Sequence, residues 1–92
     1  MTINYYHSSR CKGCLRTDEL FKDVIDIDSV PVIKTDINDI DDVDILEKLN
    51  IITVPVVIIT EYDDELVRFN DDDITYENIQ KFLQNKRQEQ SS

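Results

Sequence analysis

The chain has one glycine, two prolines and no tryptophan in 92 residues, and alanine is missing altogether. So little glycine and proline excludes a collagen-like repeat and a flexible or polyproline linker. No apolar run approaches the roughly 18 residues that a membrane-crossing helix needs. The N-terminus, Met-Thr-Ile-Asn-Tyr-Tyr-His, lacks the basic-then-apolar layout of a secretory signal, so a cytoplasmic location is expected. Basic residues are scarce too: 10 Lys and Arg stand against 20 Asp and Glu, for a net charge of −10 and a pI near 4.3. Nucleic acids and anionic membranes are bound through basic faces, so neither is an expected partner.

What remains suits one small soluble domain. About 40% of the residues are hydrophobic, enough to fold around a modest core. The acid is mostly aspartate, in Asp39 to Asp44 and Asp71 to Asp73, and reads as a solvated, self-repelling surface. A calcium loop starting at Asp36 and Asn38 fails. Ile40 stands where a third oxygen ligand is needed, and Asp41 where the loop needs glycine.

The apolar pattern gives an order of elements. Ile3 to His7 is β-forming, and Ser8 to Arg10 is a loop. From Cys11 the period turns helical, with Leu15, Leu20, Phe21, Val24 and Ile25 mostly on one face. Val30 to Ile37 reads as a second strand, with Pro31 near its start. Asp41 or Asp42 is placed to cap a second helix with Val43, Ile45, Leu46 and Leu49 apolar, and Asn50 to close it. Val54 to Thr60 is nearly continuous in β-branched residues, as in a strand buried on both faces. Tyr62-Asp63-Asp64 reads as a turn, and Glu65 to Asn70 as the other arm of a hairpin. Thr75 is placed to cap a last helix with Ile79, Phe82 and Leu83 inward. The expectation is an α/β fold, β-α-β-α-β-β-α, with a four-stranded mixed sheet and three helices. Residues 1–85 form the domain, and 86–92 a polar, frayed tail.

Chemistry points to residues 10 to 14, Arg-Cys-Lys-Gly-Cys, which hold the only two cysteines. They fall after a strand and at the mouth of a helix. There, unpaired N–H groups and the helix dipole stabilise a thiolate. Arg10 and Lys12 add positive charge, and both effects are expected to push the Cys11 pKa below the ordinary thiol value of about 8.5. Cys14, one turn on, is placed to attack a mixed disulfide at Cys11. A structural disulfide across so short a loop would constrain little of the unfolded chain. Zinc needs four ligands as a rule, and Cys11, Cys14 and the single histidine, His7, fall short without a carboxylate or a second subunit. Two inert buried cysteines at this spacing would be a coincidence. Pro55, at the start of a buried strand, conflicts with the ladder unless the Val54–Pro55 bond is cis; the bland alternative is a trans proline that merely begins the strand.

Cys11-Lys-Gly-Cys14 after a first strand, together with "LNIITVPVVIITEYDDELVRF", resembles the thioredoxin superfamily over roughly residues 2 to 84. The resemblance implies that Cys11 attacks a substrate disulfide and that Cys14 resolves the mixed disulfide. It implies that Pro55 is the cis-proline beside them and that Val54 offers backbone hydrogen bonds to a bound peptide. The departures are informative. Arg10 replaces the usual tryptophan, and Lys12-Gly13 the usual Gly-Pro. Tyr5 stands where thioredoxins carry the buried aspartate thought to help the resolving cysteine lose its proton; His7 or a water is a candidate substitute. His7 is otherwise a packed or solvated strand-end residue. The chain is closer to glutaredoxin in size, but "FNDDDITYE" stands where glutaredoxins place Gly-Gly and Asp near glutathione. A small thioredoxin-like redoxin is therefore favoured over a glutathione-dependent one.

The expected partners are a disulfide-containing protein substrate and a reductant of the thioredoxin-reductase or glutathione type, with the protein a monomer and no metal or organic cofactor. Arg10 and Lys12 should make the couple more oxidising than the roughly −270 mV of ordinary thioredoxin. A non-catalytic acidic binding module on the same fold is the alternative of another class.

Overall fold

The structure is a computed structural model that describes residues 1–8, 11–39, 43–51, 54–62 and 64–91; at 43 and 87–91 it describes the backbone alone. The described strands and α-helices are β1 (Thr2–His7), α1 (Cys14–Phe21), β2 (Asp26–Ile27), β3 (Val30–Asp36), α2 (Val43–Lys48), β4 (Val56–Glu61), β5 (Asp64–Asn70) and α3 (Tyr76–Ser91). Short 3-10 turns follow β3 and β5.

The sheet has five strands in the order β2-β3-β1-β4-β5, one more than expected. β1 runs parallel to β3 with Ile3 opposite Val32, and antiparallel to β4 with Ile3 opposite Ile59. β5 closes the far edge against β4. The extra strand is a two-residue arm, β2, folded onto β3 through Asp28 and Ser29 at φ 51° and 69°. Two consecutive positive φ values are the hallmark of a tight hairpin turn, which usually advertises itself with Asn-Gly or Asp-Gly. Without glycine the turn left no such mark.

Period two decides which side chains enter the core. Ile3 and Tyr5 of β1 and Val57 and Ile59 of β4 share one face with Phe21 of α1 and Ile79 and Leu83 of α3. Val56 and Ile58 are buried on the opposite face, so β4 is covered on both sides, as its β-branched run implies. The Tyr5 and Phe21 rings meet edge-on at 4.6 Å. Thr75 caps α3 as expected, its Oγ1 accepting from Asn78 N–H at 3.0 Å. Asn50 takes the left-handed conformation after α2, at φ 54°.

Other expectations are corrected. The first helix begins at Cys14, not Cys11, and residues 11–13 form a turn leading into it. Leu15 and Ile25 are exposed, at 70% and 80%. The inward face of α1 is instead Cys14, Thr17 and Phe21, a spacing of three and four that includes a polar residue. Ile45 of α2 is also largely exposed. β4 starts at Val56, with Val54 and Pro55 in the bend before it. α3 runs on to Ser91, past the residue 85 at which the domain was expected to end. Asp41, Asp42 and Asp63, named above as cap and turn residues, lie outside the described residues. Among the described residues no helix is long and apolar enough to cross a membrane.

Ile59 is fully buried between β1 and β5, so Ile59→Ala should lower the unfolding free energy by about 3 kcal/mol without changing the denaturant slope. A loss under about 1 kcal/mol in urea titration would show that this strand is not the centre of the core.

Candidate active site

The parallel β1–β3 pairing needs a crossover, and α1 supplies it. This puts the β1–α1 turn at the carboxyl end of a central strand, with Cys11 in the turn and Cys14 as the first residue of the helix. Backbone bonds close the turn: Cys11 N–H donates to Ser8 O at 3.1 Å, and Cys14 N–H to Cys11 O at 3.2 Å. Gly13 adopts ordinary right-handed backbone at φ −68°. A Cβ added there would stand 3.8 Å from Cys11 Sγ, so the glycine leaves that flank of the sulfur open rather than relieving strain.

The two thiols are unlike. Cys11 is half-buried and Cys14 fully buried, both as free thiols. Cys11 Sγ donates to the Val54 carbonyl at 3.5 Å, beside the cis Val54–Pro55 bond. Burial pushes the Cys14 thiol up to about 12, helped by a hydrogen bond to Cys11 that favours its protonated form; a backbone bond from Ser8 works the other way, and the charges of Cys11 and Asp18 add to the rise.

Below the thiols lies a polar cluster. The Tyr5 hydroxyl is 2.6 Å from Thr17 Oγ1 and 2.7 Å from Asp18 Oδ1. Thr17 Oγ1 is in turn 3.0 Å from Cys14 O. Burial, chiefly, holds Tyr5 far above its ordinary pKa. His7 Nδ1 stands 3.8 Å from Asp18 Oδ1, with its ring against Tyr5.

Two arginines brace the rim. Arg16 of α1 donates to Ile74 O at 3.1 Å and Asp71 O at 2.7 Å. Asp71 N–H donates to Pro55 O at 3.2 Å, so the helix with Cys14, the turn after β5 and the proline bend are linked through backbone atoms. Arg68 of β5 donates to Leu49 O and to Asn50 O (2.9 Å) at the end of α2, and Glu65 holds its guanidinium at 2.7 Å.

Of the site residues expected from sequence, Cys11, Cys14, Val54 and Pro55 come together. Lys12 is exposed in the turn. His7 lies against Asp18 and Tyr5. Arg10 lies outside the described residues. Tyr5, Arg16, Thr17 and Asp18 were missed as site residues. Their signal was spacing: Thr17 and Asp18 follow Cys14 by three and four, on its face of the helix. Among the described residues, no group of three or more His, Cys, Asp or Glu side chains could hold a metal.

No protein-family model matches the chain, and no curated protein sequence does. Among solved structures, the chain is similar to thioredoxin 1 from the thermophilic eubacterium Thermosipho africanus, with a TM-score of 0.71 and 19% identity over 95% of this chain and 99% of that one. It is also similar to a structure described as a malarial protein, with a TM-score of 0.65 and 16% identity over 91% and 93% of the two chains. The fold is thioredoxin-like.

The buried Cys14 thiol carries a pH signature. Its folded pKa lies above the ordinary 9.0, so the native state keeps a proton that the unfolded chain loses. Its contribution to stability is complete below about pH 9 and falls away as pH rises toward about 12. Denaturant titrations of the reduced protein against Cys14→Ala should converge over that window. Parallel curves would place the thiol in a wetter site.

Proposed function

We propose that this protein is a thiol–disulfide oxidoreductase that reduces or exchanges protein disulfides through Cys11 and Cys14. The observation that carries this reading is the division between the two sulfurs: one half-exposed beside the Val54 carbonyl, the other buried against it. Disulfide exchange needs such a pair. The Cys11 thiolate attacks one sulfur of a substrate disulfide, forms a mixed disulfide and expels the other sulfur as a thiolate. The Cys14 thiolate then attacks Cys11 Sγ, closes the Cys11–Cys14 disulfide and expels the second substrate sulfur. Two electrons pass from the protein to the substrate, and each thiolate expelled takes up a proton.

Val54 and Pro55 line the approach to Cys11, where an extended peptide would pair with the bend before β4. The reading includes a monomer acting in a reducing compartment, the cytoplasm by preference, where a reductase or glutathione restores the dithiol. The acidic surface and the absence of the Gly-Gly-Asp pattern favour a thioredoxin-reductase-type donor over anionic glutathione.

Equilibration in glutathione buffers with thiol trapping, alongside insulin reduction, tests the proposal. The expected result is a two-electron couple between about −280 and −180 mV, with turnover. Cys11→Ser should abolish turnover, and Cys14→Ser should accumulate a mixed disulfide. A pair that never oxidises, or that oxidises without exchanging with any substrate, would leave the acidic binding module as the better reading.

A further inference from the structure

We propose that Arg16 is a positioning residue for substrate docking: it latches the proline bend to the helix that carries Cys14, and so lets the protein favour protein disulfides over small ones. This rests on the dithiol reading above. A closed circuit of contacts carries it. The Arg16 guanidinium donates to Asp71 O at 2.7 Å and to Ile74 O at 3.1 Å. Asp71 N–H donates to Pro55 O at 3.2 Å. The neighbouring carbonyl, Val54 O, accepts from Cys11 Sγ at 3.5 Å. Cys14 N–H returns to Cys11 O at 3.2 Å, and Arg16 stands two residues further along α1. The proline bend and the Cys11–α1 segment are thus joined twice, once at the sulfur and once through this arginine.

Asp71 shows why the joint needs a clamp. Its φ is 44°, in the left-handed region, where a residue with a side chain persists only if its surroundings hold it. Its side chain is exposed, and its backbone is held on both sides. The N–H is taken by Pro55, and the carbonyl receives both Ile74 N–H at 3.1 Å and Arg16. The planar fork of a guanidinium suits this task. One arm grips the carbonyl of Ile74, whose side chain is fully buried in the core. The other holds Asp71 in the conformation that aims its N–H at the bend. In a chain with 20 acids to 10 bases, this cation is committed to two carbonyls on the rim of the site.

A protein disulfide feels the latch and a small one does not. An extended peptide pairs with the bend, so a bend free to shift costs it orientation at the attacking sulfur. A small aromatic disulfide needs only access to Cys11 Sγ. The chemistry is the same for both: the Cys11 thiolate bonds to one substrate sulfur, and the other leaves as a thiolate with the electron pair. Arg16 takes no part in that transfer.

The experiment measures single-turnover rates of the reduced protein with insulin and with an aromatic disulfide, together with amide hydrogen exchange at Asp71. For Arg16→Met the expected result is a loss of about 10-fold with insulin, a change under about twofold with the aromatic disulfide, and faster exchange at Asp71. Arg16→Lys, which keeps the charge but not the fork, should recover part of the insulin rate. Asp71→Val should reproduce the loss from the other end of the latch, because a β-branched side chain resists that backbone. Asp71→Asn removes the same charge but tolerates a left-handed φ, so the difference between the two isolates the conformation. Ile59→Ala, destabilised in the core, should keep the wild-type ratio of the two rates. Equal losses with both substrates, no loss with either, an insulin loss without faster exchange at Asp71, or the same change of ratio in Ile59→Ala overturns the proposal and leaves the oxidoreductase reading intact. A wild-type protein that reacts with neither disulfide overturns both.

Discussion

A tyrosine in the middle of the sheet must bury its ring without stranding its hydroxyl, and the geometry of the site follows from how Tyr5 does this. Its ring belongs to the core, edge-on to Phe21. An unpaired hydroxyl there would cost about 1–3 kcal/mol. Among the described residues its hydroxyl is met by α1, where Thr17 and Asp18 present the polar atoms it needs. Fixing those two residues against β1 fixes the rotation and height of α1. Cys14, one turn earlier on the same face, is thereby held beneath Cys11. The core contact and the chemical site share one set of hydrogen bonds.

Much of this was legible in the sequence. The two periods, 3.6 and 2, gave the element order, the parallel β1–β3 pair, the doubly covered β4 and the Thr75 cap. The cysteine pair gave the address of the site, since only one turn in the chain carries both sulfurs. Other features were hidden for physical reasons. The β2 arm is two residues long, and its turn uses Asp28 and Ser29 where glycine would have marked it. Leu15 followed the helical period yet points to solvent, because the inward face of α1 is given over to Cys14, Thr17 and Phe21, and Ile25 lies past the end of that helix. A hydrophobicity pattern cannot register a buried threonine whose value lies in its partner. The same applies to Asp18: as one acid among twenty, it is conspicuous only once Tyr5 stands 2.7 Å away.

On the dithiol reading proposed above, the order in which the two cysteines act follows from burial rather than from chemistry intrinsic to either. Thiol exchange requires the attacking sulfur to approach along the axis of the target disulfide, and a fully buried sulfur cannot reach a disulfide on another protein. Cys11 can. Among the described residues, Cys14 lies within reach of Cys11. Cys14 is fully buried, which makes its thiolate costly and favours the protonated thiol hydrogen-bonded to Cys11.

The bracing of the site falls largely on backbone acceptors. Arg16 binds the carbonyls of Asp71 and Ile74, and the Asp71 N–H binds the Pro55 carbonyl. Arg68 binds the carbonyls of Leu49 and Asn50. None of these bonds reads the side chain at its acceptor. The sequence of the turn after β5 is therefore free to become three consecutive aspartates without disturbing the proline bend. It is the positions whose side chains make contacts, Tyr5, Cys11, Cys14, Thr17 and Asp18, that a related sequence would have to keep or exchange together. A change at Tyr5 alone would leave Asp18 and Thr17 without the oxygen between them, so this strand position and this helix position are physically one choice.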